Sequence, residues 1–117
     1  MTYRILVLPG DGIGPEIVEQ TLRVAGWYAK KRNFAFTAEQ DLVGGISYET
    51  HGNPATDAMM KKALAADAIL FGSVGGPKWD KLPFDKKPEQ GLLRLRGDLK
   101  LFANLRPALC FDALKDA

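Results

Sequence analysis

One cysteine and one histidine in 117 residues exclude most of the chemistry that depends on either side chain. Cys110 has no partner for a disulfide, and no Cys/His cluster stands at metal-ligand spacing. A reducing compartment fits this usage. No apolar run approaches the ~20 residues of a membrane span. The segment after Met1 lacks the basic start and long apolar stretch of a secretory signal, and it lacks the Arg/Ser-rich character of a transit segment. A cytoplasmic location is therefore the expectation. A dominant charge is also missing: sixteen basic and fourteen acidic residues leave a formal net charge of +2. Without a large one-signed field, neither nucleic acid nor a membrane surface is expected as a partner. The locally basic stretch from Lys78 to Arg106 suits a small anionic ligand, or simply a solvated face.

What is present belongs to a water-soluble globular chain, with 46% apolar and 26% charged residues. Arg4-Ile5-Leu6-Val7-Leu8 reads as a strand buried on both faces and ended by Pro9-Gly10. Pro15 and Glu16 then open a helix whose apolar positions Ile17, Val18, Leu22, Ala25 and Ala29 recur until Lys30-Lys31-Arg32. Phe34 to Gln40 alternates as a second strand, and Gly44-Gly45 begins a loop. After the turn His51-Gly52-Asn53-Pro54, Ala55 to Ala66 has helical content, and Ala68 to Phe71 is a third strand. A last helix is expected from Glu89 to about Leu99, then a strand over Leu101 to Phe111 interrupted at Pro107, with Cys110 as a small strand hydrophobe. Alternating strands and helices predict an α/β fold around a largely parallel sheet. The glycine-rich stretches at 10–14, 44–45 and 72–76 all fall beyond strand carboxyl ends, where such sheets bind ligands.

Gly10-Asp11-Gly12-Ile13-Gly14-Pro15-Glu16 invites assignment as a dinucleotide fingerprint, but the spacing is wrong. The third glycine arrives one residue early, a proline follows it, and no acidic residue closes a second strand about 20 positions on. A tight strand-to-helix turn accounts for the glycines, although the free N–H groups of the helix start still suit a phosphate or carboxylate. The segment Gly72 to Asp80 brings small residues, Lys78 and Trp79 together after the third strand without forming a P-loop. Lys78 suits a phosphate there, while Trp79 either packs beside an aromatic ring or covers the loop.

The expected last helix carries the sharpest signal. Glu89, Leu92, Leu93 and Arg96 stand at i, i+3, i+4 and i+7 and share an arc of roughly a hundred degrees. Leu95 and Leu99 lie round from them and serve the core. Acid, two leucines and arginine side by side make a poor core but a suitable pocket wall for a branched acid. In the expected strand beyond, Arg106 is placed to converge with Arg96 on one anion, since guanidinium donates two parallel hydrogen bonds to a carboxylate. Two arginines paired with nearby acids remain the alternative.

Four segments in order, Gly10 to Glu16, Gly72 to Asp80, Pro88 to Leu93 and Leu101-Phe102-Ala103-Asn104-Leu105-Arg106-Pro107, resemble the β-decarboxylating dehydrogenases. Gly-Gly-Pro-Lys-Trp-Asp followed by Glu89, Leu92-Leu93 and Arg96 is most similar to the isopropylmalate branch of the isocitrate/isopropylmalate dehydrogenase family. The resemblance implies the N-terminal part of a two-domain, largely parallel-sheet fold, with residues 1–99 in the first, cofactor-side domain and 100–117 starting the second. It implies NAD-dependent oxidative decarboxylation of 3-isopropylmalate in leucine biosynthesis by a homodimer using Mg²⁺ or Mn²⁺. Arg96 and Arg106 would hold the substrate carboxylates, and Leu92 and Leu93 would face the isopropyl group. Gly76, Pro77, Lys78, Trp79, Asp80, Lys81, Leu82, Pro83 and Glu89 would form the cofactor site. The family's third substrate arginine, its proton-transfer Tyr and Lys and its metal-binding Asp residues would lie beyond residue 117, so the chain alone is expected to be inactive. Competing expectations are a tartrate/malate or isocitrate-type dehydrogenase, or a non-catalytic anion- or nucleotide-binding module.

Overall fold

The structure, a computed structural model, describes residues 1–115. Strand β1 (Thr2–Gly10) lies in the middle of a three-stranded sheet, flanked by β2 (Ala35–Gln40) and β3 (Ala68–Ser73). Both pairings are parallel, running from Thr2 opposite Ala35 to Val7 opposite Gln40 on one side and from Ile5 opposite Ala68 to Gly10 opposite Ser73 on the other. The central position explains why β1 is the most continuously apolar of the three: helices cover both of its faces. Leu6 and Leu8 point by period-two alternation into one layer, where Val43, Ala55, Met59, Met60, Ala63 and Leu95 complete the core. Burial of a single such leucine contributes about 2 kcal/mol. Val7 and Val18, also buried, lie outside that cluster, and α1 (Gly14–Arg32) packs on β1 and β3.

Each helix has a local cause. Pro15 stands in the first turn of α1, and Asn33 closes it in a left-handed conformation with φ of 52°. Helix α3 (Asp57–Ala65) starts two residues later than the sequence suggests, because Thr56 is its cap and accepts a hydrogen bond from the Met59 N–H at 3.1 Å. Helix α4 (Glu89–Asp98) buries Gly91 and Leu95. Its end is set by Lys100 at φ of 53°, which returns the Leu101 N–H to the Arg96 carbonyl at 3.1 Å.

Two expectations are corrected. The segment expected to be a loop from Gly44 onward contains helix α2 (Gly45–His51), so His51 ends a helix rather than sitting within a turn. The strand expected over Leu101 to Phe111 is not formed: these residues are exposed and have no regular structure, Cys110 included. A strand is defined by a neighbour that satisfies its backbone groups, and none of the described residues supplies one. Residues 116 and 117, which close the stretch expected to begin a second domain, lie outside the described residues.

Candidate functional site

At the carboxyl ends of the strands the chain is tied together by Asp11, only 3% exposed. Its carboxylate accepts hydrogen bonds from the N–H groups of Gly45 (2.7 Å), Ile46 (2.8 Å) and Gly75 (2.9 Å). The first two are unsatisfied donors of the α2 N-terminus, where a negative charge also meets the helix dipole favourably. Its own backbone N–H donates to the Ser73 carbonyl at 2.7 Å, and its carbonyl accepts from the Ser73 hydroxyl at 3.0 Å. Gly10, at φ of +72°, precedes this knot, and a Cβ there would meet the Ser73 carbonyl oxygen at 1.9 Å. Close backbone approach therefore explains the first glycine of the opening motif.

The loop after β3 is fastened to α2 a second time. Trp79 donates from its indole Nε1 to the Glu49 carboxylate at 3.0 Å, and the Lys78 ammonium pairs with the same oxygen. The Lys78 hydrogen bond holds the Glu49 carboxyl below its ordinary range, with Trp79 adding to the effect. The indole face packs so closely on Gly45 that a Cβ at that position would lie 2.3 Å from it. Trp79 thus rests on α2, and Lys78 is engaged by a carboxylate.

Opposite this loop, α4 forms the second wall of a cleft of about 240 Å³. Gly76, Trp79, Asp80 and Phe84 line one side, and Lys87, Pro88, Glu89, Gln90 and Leu93 line the other. The Glu89 carboxylate reaches the turn itself, 2.7 Å from where a Gly75 Cβ would stand. Such a volume admits a ring-sized portion of a dinucleotide rather than the whole molecule. Gly76, Trp79, Asp80 and Glu89 of the expected cofactor set meet here. Pro77 and Lys78 begin an exposed turn, and Lys81, Leu82 and Pro83 lie along the loop that follows without lining the cleft. A larger recess of about 320 Å³, between the start of β1 and the end of α3, contains none of the expected site residues.

On α4, Leu95 is buried and Leu99 packs against the core, whereas Leu93 is 51% exposed and Glu89 and Arg96 are exposed. Leu92 is half-buried. At helical pitch it is the member of the four nearest to Leu99, which explains its intermediate position. Arg94 lies on another face and is committed to the fold: it donates to the Ala55 carbonyl at 2.7 Å, to Asp98 at 3.2 Å and to Asp57. Arg96 borders a recess of about 170 Å³ with Leu101, Phe102, Ala103 and Asn104. Arg106 is exposed on the irregular segment and is not among the residues that border that recess. Without sheet pairing, period-two alternation does not set the direction of Arg106. Among the described residues no group of three or more His, Cys, Asp or Glu side chains is arranged to hold a metal ion. No helix among them is long and apolar enough to cross a membrane.

The parallel sheet brings its carboxyl-end loops up to a charged, leucine-bearing helix, and comparison with known proteins identifies the family to which such a chain belongs. The family model described as isocitrate/isopropylmalate dehydrogenase matches residues 4–117, and the chain belongs to that family. It is 56% identical over 116 residues to the 3-isopropylmalate dehydrogenase of Nitrobacter winogradskyi, covering 99% of this chain and 31% of that protein. The corresponding enzyme of Ruegeria pomeroyi is 56% identical over 112 residues, with 96% and 30% covered. Among solved structures, an apo β-decarboxylating dehydrogenase from Thermococcus kodakarensis superimposes with a TM-score of 0.68 at 30% identity, covering 85% of this chain and 27% of that one. The chain thus spans about 31% of the length of a curated relative that it matches.

Proposed function

We propose that the chain is the N-terminal portion of an NAD-dependent 3-isopropylmalate dehydrogenase, which oxidises and decarboxylates 3-isopropylmalate to 4-methyl-2-oxopentanoate in leucine biosynthesis. Residues 1–99 belong to its cofactor-side domain, residues 100–117 begin the second, and the whole protein is a cytoplasmic homodimer. The observation that carries the substrate is the outer face of α4, where Leu93 stands exposed beside half-buried Leu92, between exposed Glu89 and Arg96. An apolar side branch matches the leucines and a carboxylate matches the arginine. A third carboxylate in the branch position would be desolvated against leucine without a partner, which disfavours an isocitrate-type acid. Bound NAD would accept the hydride leaving the substrate C2. This chain's contribution is to line the cleft between the Gly76–Asp80 loop and Glu89, and to bind one end of the acid through Arg96, with Arg106 joining where its segment lies beside α4. Mg²⁺ or Mn²⁺ would be held by residues further along the polypeptide.

The test is kinetic and uses the full-length protein. The ratio kcat/KM should be highest for 3-isopropylmalate among that acid, isocitrate, malate and tartrate. Replacing Leu93 with Asn should lower it for 3-isopropylmalate by roughly 10- to 100-fold while changing malate little, because a pocket methyl contact is worth about 1–3 kcal/mol. Preference of the unmutated protein for an acid without the isopropyl branch would end the assignment.

A further inference from the structure

Asp11 is the one deeply buried carboxylate in the described chain, and none of the functions proposed so far uses it. No cation among the described residues pairs with it; three backbone N–H groups do. Those donors come from two separate places, 34 and 64 residues away: the first turn of α2 and the loop after β3. Both lead to the same cleft. The Gly75 N–H fixes the turn that faces Glu89, and α2 carries Glu49, which receives the Trp79 indole N–H. Gly45, the residue held by Asp11, is also the floor on which the Trp79 ring rests.

We propose that Asp11 is the positioning residue of the cofactor-side cleft, holding the Gly75–Trp79 loop at its distance from Glu89 directly through Gly75 and indirectly through α2 and Glu49. The proposal rests on the assignment of this cleft to NAD. Asp11 touches neither ligand. It acts by preorganisation: a loop already held in its binding shape loses little conformational freedom when the cofactor arrives. Asparagine at this position cannot replace it, because one amide group would turn its own N–H donors toward at least one of the three backbone donors.

The experiment uses the full-length protein carrying Trp27→Phe, which removes the exposed tryptophan of α1 and leaves Trp79 as the only reporter among residues 1–117. Two variants are made in this background, Asp11→Asn and Glu49→Ala. The second cuts the α2 arm at a side chain that is 35% exposed and outside the core, so it tests the device even where Asp11→Asn fails to fold. In both, acrylamide quenching of Trp79 should increase, read against a Trp79→Phe control. The KM for NAD should rise, by about tenfold in Asp11→Asn and less in Glu49→Ala, while the KM for 3-isopropylmalate changes less than twofold. Equal rises in both KM values, or unchanged Trp79 quenching in Glu49→Ala, would overturn the proposal. Absence of NAD turnover in the parent protein would instead overturn the functional assignment, and the quenching result would still decide whether Asp11 positions the loop.

Discussion

Arg94 and Arg96 stand two positions apart on α4, and the fold treats them in opposite ways. Arg94 is held by Asp98, Asp57 and the Ala55 carbonyl, so its charge is spent on joining α4 to the start of α3. Arg96 projects into the recess by Leu101 to Asn104 and remains available to a ligand. A helix places residues two apart about 200° around its axis, so these two side chains cannot share a role. Arg106 belongs with Arg96 by charge alone in the described structure. Where its segment lies beside α4, its forked contact to a carboxylate is specific to guanidinium. Replacing Arg106 with Lys in the full-length enzyme should then raise the KM for 3-isopropylmalate at least about tenfold more than the KM for NAD. Steady-state titration of each ligand checks this, and equal losses would remove Arg106 from the substrate site.

At the scale of elements, α4 is the part on which the candidate site depends, and its placement rests on α3 and the turn before it. Gly91 allows contact so close that a Cβ would lie 2.7 Å from the Pro54 carbonyl oxygen. Arg94 spans the rest of the joint. Hydrogen bonding from Arg94 holds the Asp57 carboxyl below its ordinary value of 3.8. A carboxyl with a depressed folded-state pKa contributes stability that is fully present above its unfolded value and disappears as pH falls through the folded one. Since Asp57 is an exposed group, the contribution is small and screened by salt. The thermal midpoint of the full-length protein should therefore exceed that of Asp57→Asn near neutral pH, and the gap should close below about pH 3.8. A gap of constant size down to acid pH would show that Asp57 stabilises α3 without its charge.

The whole molecule presents a sheet with both outer strands, β2 and β3, unpaired on their far sides among the described residues. Leu101, Phe102, Leu105, Leu109 and Phe111 are all more than half exposed. These side chains stand along a segment with no partner among the described residues, in a chain that spans about 31% of a matched relative. The single histidine and exposed single cysteine do not assemble with acids into a metal-binding group among the described residues. On the assignment proposed above, the 117-residue chain alone should give no reduction of NAD with 3-isopropylmalate and Mg²⁺ or Mn²⁺ present, under conditions where the full-length protein turns over. Measurable turnover by the isolated chain would place the complete catalytic set within it.

Local pattern determined the parts of this protein whose cause is local. The apolar run of β1, the Pro15 helix start, and the opposed faces of α4, with Leu95 inward and Glu89, Leu93 and Arg96 outward, follow from chain periodicity. The likeness to the dehydrogenase family was legible in the same residues. Helix α2 was not, because its seven residues, the first of them Gly45, are too few to show a period. Nor was the fate of Leu101 to Phe111, where composition favours a strand but pairing decides, and a strand without a neighbour has no ladder. Only the tertiary structure decided that Asp11 would bind backbone 34 and 64 residues away, and that Arg94 rather than Arg96 would fasten α4. Hydrogen bonds across such separations depend on where the elements come to rest, which no window along the chain contains.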